Sequence, residues 1–183
     1  GELQNATAIT NRINSFLCPS SQPPASTDLG KPSPGNNYFA SVGASLAFNA
    51  DPYNNMPPNA FPNGLFMING PSIGISDITD GTSNTIAFGE WRSGDYDDIQ
   101  LSIPQDVINL RQYPPGAGWG SPNLNMPLGA TGFEQWLNSC AGFAKASTQG
   151  AEPWRTNMSY LGRSWHQGMF GWTMGNTLLA PNP

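Results

Sequence analysis

Glycine and proline punctuate this chain so densely that long regular elements have little room. Glycine (21) and proline (18) together fill about a fifth of the 183 residues, where ordinary usage would be about 12%. In a helix interior a glycine costs about 1 kcal/mol and a proline about 3 kcal/mol relative to alanine. Charged residues, which supply the polar faces of surface helices, are only 10%, against a norm of about 25%. Short strands joined by long loops are the expected outcome. Disorder is not, because an aromatic content of 11% with six tryptophans supplies apolar groups that disordered chains lack. A chain of this length suits one domain, residues 1–183, able to bury roughly 70% of its unfolded surface.

The charge balance narrows the function. The formal net charge is -5, and the seven Lys and Arg are scattered singly. Phosphate backbones and anionic lipids are recognised by clustered cations, so neither nucleic acid nor a charged membrane surface is an expected partner. No stretch approaches the roughly 18 apolar residues of a membrane span. The first residue is Gly and no secretory segment follows it, from which we expect a native N-terminus upstream. Two cysteines, Cys18 and Cys140, leave two readings open. One is a long-range disulfide worth roughly 4 kcal/mol in an oxidising compartment; the other is a pair of unrelated buried thiols.

Element by element, apolar residues at Ala6, Ile9, Ile13 and Phe16 have helical spacing behind an Asn5 cap. Ser15 to Pro19 reads as a short extended segment stopped by proline. Ser20 to Asn37 is nearly all Ser, Pro, Asn, Gly and Thr, which is loop chemistry. Strand-like runs occur at Tyr38 to Phe48, Gly64 to Ile68, Asn84 to Trp91, Trp165 to Trp172 and Thr177 to Leu179. Ile99 to Leu110 suggests a helical turn. Gly132 to Ala144 places Phe133, Trp136, Leu137, Cys140 and Phe143 on one helix face. Most of the tryptophans are expected in the core.

Several phrases occur together and in order. They are Ile13-Asn14-Ser15-Phe16-Leu17-Cys18-Pro19-Ser20-Ser21, Asn37-Tyr38, Asn63-Gly64-Leu65-Phe66, Ile78-Thr79-Asp80-Gly81-Thr82-Ser83-Asn84-Thr85, Phe88-Gly89-Glu90, and Asn176-Thr177-Leu178-Leu179-Ala180-Pro181-Asn182-Pro183. This series resembles the DUF1559 family of pilin-like proteins, abundant in planctomycetes and related bacteria, which carry a prepilin cleavage and methylation segment. The resemblance implies an α+β fold: a β-rich pilin-like globular head with long Gly/Pro/Asn loops and few short helices. It covers essentially the whole chain but neither the N-terminal pilin helix nor the family's C-terminal end. Family members also tend to place a cysteine just after the "PN" phrase, which would offer Cys18 a partner other than Cys140.

Each candidate site also has a plainer structural meaning. Asp77, Asp80, Ser83 and Asn84 form the densest oxygen-donor cluster, a candidate calcium site without EF-hand spacing; the plainer meaning is a turn or helix cap. Asp95, Asp97 and Asp98 read as a solvated loop more readily than as a second calcium loop. His166, the sole histidine, has Ser164 two residues away, but no Gly-x-Ser-x-Gly elbow exposes a nucleophile. One His and two distant Cys are also a poor zinc set. Glu90, Glu134 and Glu152 are the candidate carboxylates for glycoside hydrolysis, with Trp and Tyr as sugar platforms. Asn5-Ala6-Thr7 and Asn157-Met158-Ser159 match a glycosylation acceptor, a frequent chance match.

The expected function is non-enzymatic: an extracellular, cell-surface head acting in filament or pseudopilus assembly or in adhesion. Its partners would be other pilin-like subunits or surface components. The alternative is an extracellular carbohydrate-binding or glycoside-hydrolysing protein that uses those acids and recognises polysaccharide.

Overall fold

The structure is a computed structural model and describes residues 4–22, 24, 27–28, 30–47, 49–50, 55–97, 101–102, 105–108, 112–148 and 157–179. Regular structure within them is sparse, as the glycine and proline load requires. The helices are α1 (Ala6–Ile9) and α2 (Ala130–Thr148), with short 3₁₀ turns at Asn14–Phe16, Pro58–Ala60, Ile75–Asp77, Thr82–Asn84 and Pro122–Leu124. The strands are β1 (Thr27–Asp28), β2 (Lys31–Pro32), β3 (Tyr38–Ser41), β4 (Phe88–Glu90), β5 (Val107–Ile108), β6 (Asn157–Met158) and β7 (Met174–Gly175). They form a three-stranded sheet in the order β4-β3-β7 and two antiparallel pairs, β1 with β2 and β5 with β6. In the larger sheet β3 and β7 run parallel, with Ala40 opposite Met174 and Ser41 opposite Gly175. This is a small, β-rich α+β fold with one substantial helix, as the sequence implied.

Several boundaries differ from expectation for local physical reasons. The opening helix lasts one turn, because the Thr10 hydroxyl donates to the Ala6 carbonyl at 2.6 Å and the following residues leave the helix. Residues 15–17, expected extended, include the end of a 3₁₀ turn. Gly64 to Ile68 is not a strand: its Gly64 and Phe66 amides donate to the Val42 and Ser41 carbonyls, and only Ile68 forms a bridge, with Asn49. A side chain at Gly64 would place its Cβ 2.2 Å from the Val42 carbonyl carbon, so glycine permits this backbone approach. Residues 165–172 form turns around Gly168 and Gly171, with β7 just beyond them and no strand at 177–179. Within 99–110 the Gln105 and Asp106 amides both donate to the Ser102 carbonyl at 2.9 Å, one turn that leads into β5, and residues 99–100, 103–104 and 109–110 lie outside the described ones.

The chain divides into two units. The first comprises Gly1–Phe39, Glu90–Gln112 and Leu137–Thr173; the second comprises Ala40–Gly89, Tyr113–Trp136 and Met174–Pro183. Among the described residues, the buried apolar side chains of the second unit are Val42, Ala47, Ala50, Met56, Ala60, Leu124, Phe133 and Met174. Ala47, Met56, Ala60 and Leu124 form a cluster against which Leu46, Phe61 and Ala117 pack. Among the described residues of the first unit, the buried apolar side chains are Pro24, Pro34 and Leu101, whereas Thr10, Ser33, Asn36, Asn37, Ser93, Ser159 and Ser164 are buried and polar. The tryptophans expected in the core are half-buried at 91, 136, 165 and 172, and Trp119 is exposed; the interior is built from smaller groups. Helix α2 does follow its expected face: Phe133 is buried, Trp136, Leu137 and Cys140 are half-buried, and Glu134, Gln135, Asn138 and Ser139 are exposed.

Candidate functional site

The phrases that mark the sequence fall into three structural groups. In the first unit Asn37 gathers one of them. Its side-chain oxygen accepts from the Cys18 amide at 2.9 Å. Its Nδ2 lies within reach of the Ser21 hydroxyl (3.0 Å), the Trp91 carbonyl (3.0 Å) and the Ser93 hydroxyl (3.2 Å). Its backbone amide donates to the Phe16 carbonyl, and its carbonyl accepts from the Trp91 amide, both at 2.8 Å. The neighbouring Asn36 donates from Nδ2 to the Trp172 carbonyl at 2.8 Å and accepts the Trp91 indole N–H on its backbone oxygen at 2.9 Å. Gly162, at φ +68, brings its amide region against the same place; a Cβ there would lie 2.3 Å from the Asn36 oxygen. The Cys18-Pro19-Ser20-Ser21 phrase and the Asn37-Tyr38 phrase thus serve one buried polar knot. Side-chain amides here supply the pairing that a strand ladder would otherwise give.

In the second unit, the segment from Ser41 to Gly43 gathers another group. Gly64 and Phe66 of the Asn63-Gly64-Leu65-Phe66 phrase donate to it, as described above. The Thr177 amide of the Asn176-Thr177 phrase donates to the Gly43 carbonyl at 3.0 Å. The Phe66 and Phe88 rings meet at 5.2 Å.

The Asp80-Gly81-Thr82-Ser83-Asn84-Thr85 phrase stands apart, because it bonds to itself. The Asn84 amide donates to the Gly81 carbonyl at 3.0 Å, the Asn84 Nδ2 to the Asp80 carbonyl at 2.9 Å, and the Thr85 hydroxyl to the Gly81 carbonyl at 3.2 Å. Just upstream, an Asp77 carboxylate oxygen accepts from the Gly74 amide at 2.8 Å. Asp77, Asp80, Ser83 and Asn84 are all exposed. Their observed bonds are those of capped turns, and among the described residues no three of His, Cys, Asp and Glu gather as a metal-binding group. Near this turn in the chain three apolar side chains are exposed among the polar ones: Ile75 is 80% exposed, Phe88 66% and Ile86 57%.

The remaining candidates are separately placed. Glu90 lies on β4 and Glu134 on α2, both exposed and neither making a side-chain hydrogen bond among the described residues; Glu152 lies outside those residues. Asp95 accepts the Asp97 amide at 2.9 Å, a local turn, and Asp98 is outside the described residues. The Ser164 hydroxyl bonds His166 Nδ1. Ser164 is fully buried and the Trp165 ring meets the imidazole edge-on at 5.9 Å, so the hydroxyl is packed and unexposed to a substrate. The expected Cys18–Cys140 disulfide is not formed, since both thiols are free. Each is held in its own element: Cys18 Sγ sits 3.0 Å from the Ser20 hydroxyl, and Cys140 lies on the half-buried face of α2. Burial pushes the Cys140 thiol pKa up, with a backbone hydrogen bond opposing it. Sequence reasoning missed the Asn36–Asn37 knot, for which the adjacent asparagines after Pro34-Gly35 were the available signal.

No helix among the described residues is long and apolar enough to cross a membrane. The model of a family described as a protein of unknown function, DUF1559, matches residues 2–175, the family that the motif series resembles. No curated protein and no solved structure matches the chain.

Proposed function

The chain belongs to the DUF1559 family, and from that premise we propose that it is the extracellular head of a pilin-like surface protein, acting non-enzymatically in assembly or adhesion. The observation that supports this is the exposed Asp80 to Thr85 turn with Ile75, Ile86 and Phe88 beside it in the chain. Two groups of phrases are consumed in holding the fold, whereas this one is bonded internally and faces solvent. Exposed apolar side chains on a protein surface are used for association. A rigid, self-bonded turn presents them with little ordering cost on contact. The composition agrees, for a surface head can carry Asn, Gly and Pro loops and needs few lysines.

The test uses the full-length protein in its own cells, with Ile75→Ser and Ile86→Ser combined. Surface assembly or adhesion is expected to be lost while the purified variant keeps the circular dichroism and melting temperature of the parent. Unchanged assembly by a folded double variant, or an intact protein found only inside the cell, would overturn the reading.

A further inference from the structure

In the first unit, Thr10, Asn11, Arg12, Lys31 and Pro32 line an open surface groove of about 380 Å³, with all of them but Thr10 exposed. Its size is at the lower end of the range for small-molecule sites, about 300–1,000 Å³. We propose that it binds a small organic oxyanion, a sugar-sized molecule carrying a carboxylate or a phosphate. The proposal goes beyond the surface-head reading and does not depend on it.

Charge is the first argument. The chain has twelve acidic residues and only seven Lys and Arg, yet two of the seven line this one groove and its described lining contains no carboxylate. Neither Arg12 nor Lys31 is ion-paired among the described residues.

Preorganisation is the second argument. Arg12 Nε donates to the Ser33 carbonyl and Nη2 to the Pro24 carbonyl, each at 3.3 Å. Two neutral carbonyls fix the guanidinium without cancelling its charge, and they leave Nη1 free for an oxyanion, a group whose geometry a guanidinium fork matches. Asn11 is held by the Trp165 indole N–H, which donates to its carbonyl at 2.9 Å. The Thr10 hydroxyl is tied to the Ala6 carbonyl. The wall is therefore set before a ligand arrives, which lowers the cost of binding. Asn11 and Thr10 add polar atoms suited to sugar hydroxyls.

The experiment is a calorimetric titration of the whole chain at low salt with glucuronate, glucose 6-phosphate, inorganic phosphate and glucose. Saturable binding of glucuronate or glucose 6-phosphate, with none for glucose, is the expected result and would assign the carboxylate or the phosphate sugar. Binding of inorganic phosphate alone would overturn the organic ligand. Arg12→Gln and Lys31→Gln are each expected to weaken binding about tenfold, the scale of one charge-assisted hydrogen bond, and added salt to weaken it further. Should Arg12→Gln fail to fold, Lys31→Gln carries the test, since the exposed Lys31 makes no hydrogen bond among the described residues. Absence of saturable binding by all three anions, or binding indifferent to the substitutions, would overturn the proposal.

Discussion

The two units bury polar and apolar groups in different proportions: both bury polar side chains, the second at Ser41, Ser45 and Asn125, but the second adds an apolar cluster. Ala47, Met56, Ala60 and Leu124 give the second a small apolar cluster, while the first is organised around Asn36 and Asn37, with serines at 33, 93, 159 and 164 buried about them. Apolar burial stabilises by the area removed from water and needs no particular direction. A buried asparagine contributes only if its donors and acceptors are met, since an unmet polar group costs about 1–3 kcal/mol. The first unit therefore depends chiefly on directed bonds, whereas the second combines apolar burial with directed bonds from Asn125 Nδ2 to the Phe61 and Asn59 carbonyls.

Asn37→Ala is the severest challenge to that contrast. Four side-chain bonds would vanish, and the groups they satisfied would be left buried. A loss of about 3–5 kcal/mol is expected, seen as a fall of roughly 10 °C in melting temperature. Leu124→Ala, in a side chain only 2% exposed, should cost about 2–3 kcal/mol by urea denaturation, below the largest values for such truncations because its neighbours are small. If Leu124→Ala proves the more damaging, the first unit is not governed by its polar knot. Trp91→Phe is the finest probe. It removes the indole bond to Asn36 but keeps a ring to stack on Phe39, which lies 4.7 Å away. About 1 kcal/mol should be lost, and a change near zero would place the weight on ring packing instead.

Much of the site was legible before the structure. The motif series pointed to the family, and α2 was legible as a face because Phe133, Trp136, Leu137 and Cys140 recur at helical spacing. The Asp80 to Thr85 phrase carries turn residues, and its described bonds are those of a turn. Illegible were the short strands: a two-residue element such as β7 has no periodicity to detect, and its existence depends on its partner β3. The groove was illegible too, because it brings Arg12 to Lys31 across residues whose composition says only loop.

The sequence by itself determined that regular elements would be few and, α2 apart, short among the described residues, because its glycines and prolines interrupt them and its few charges cannot clothe them. It also determined which phrases matter. Only the tertiary structure decided that residues 33–37, Ser-Pro-Gly-Asn-Asn, would be buried rather than looped into solvent. Turn residues carry the same local preferences in either place. What makes burial possible is that Asn36 and Asn37 meet partners as far away as Trp91 and Trp172, and such bonds exist only once distant segments are brought together.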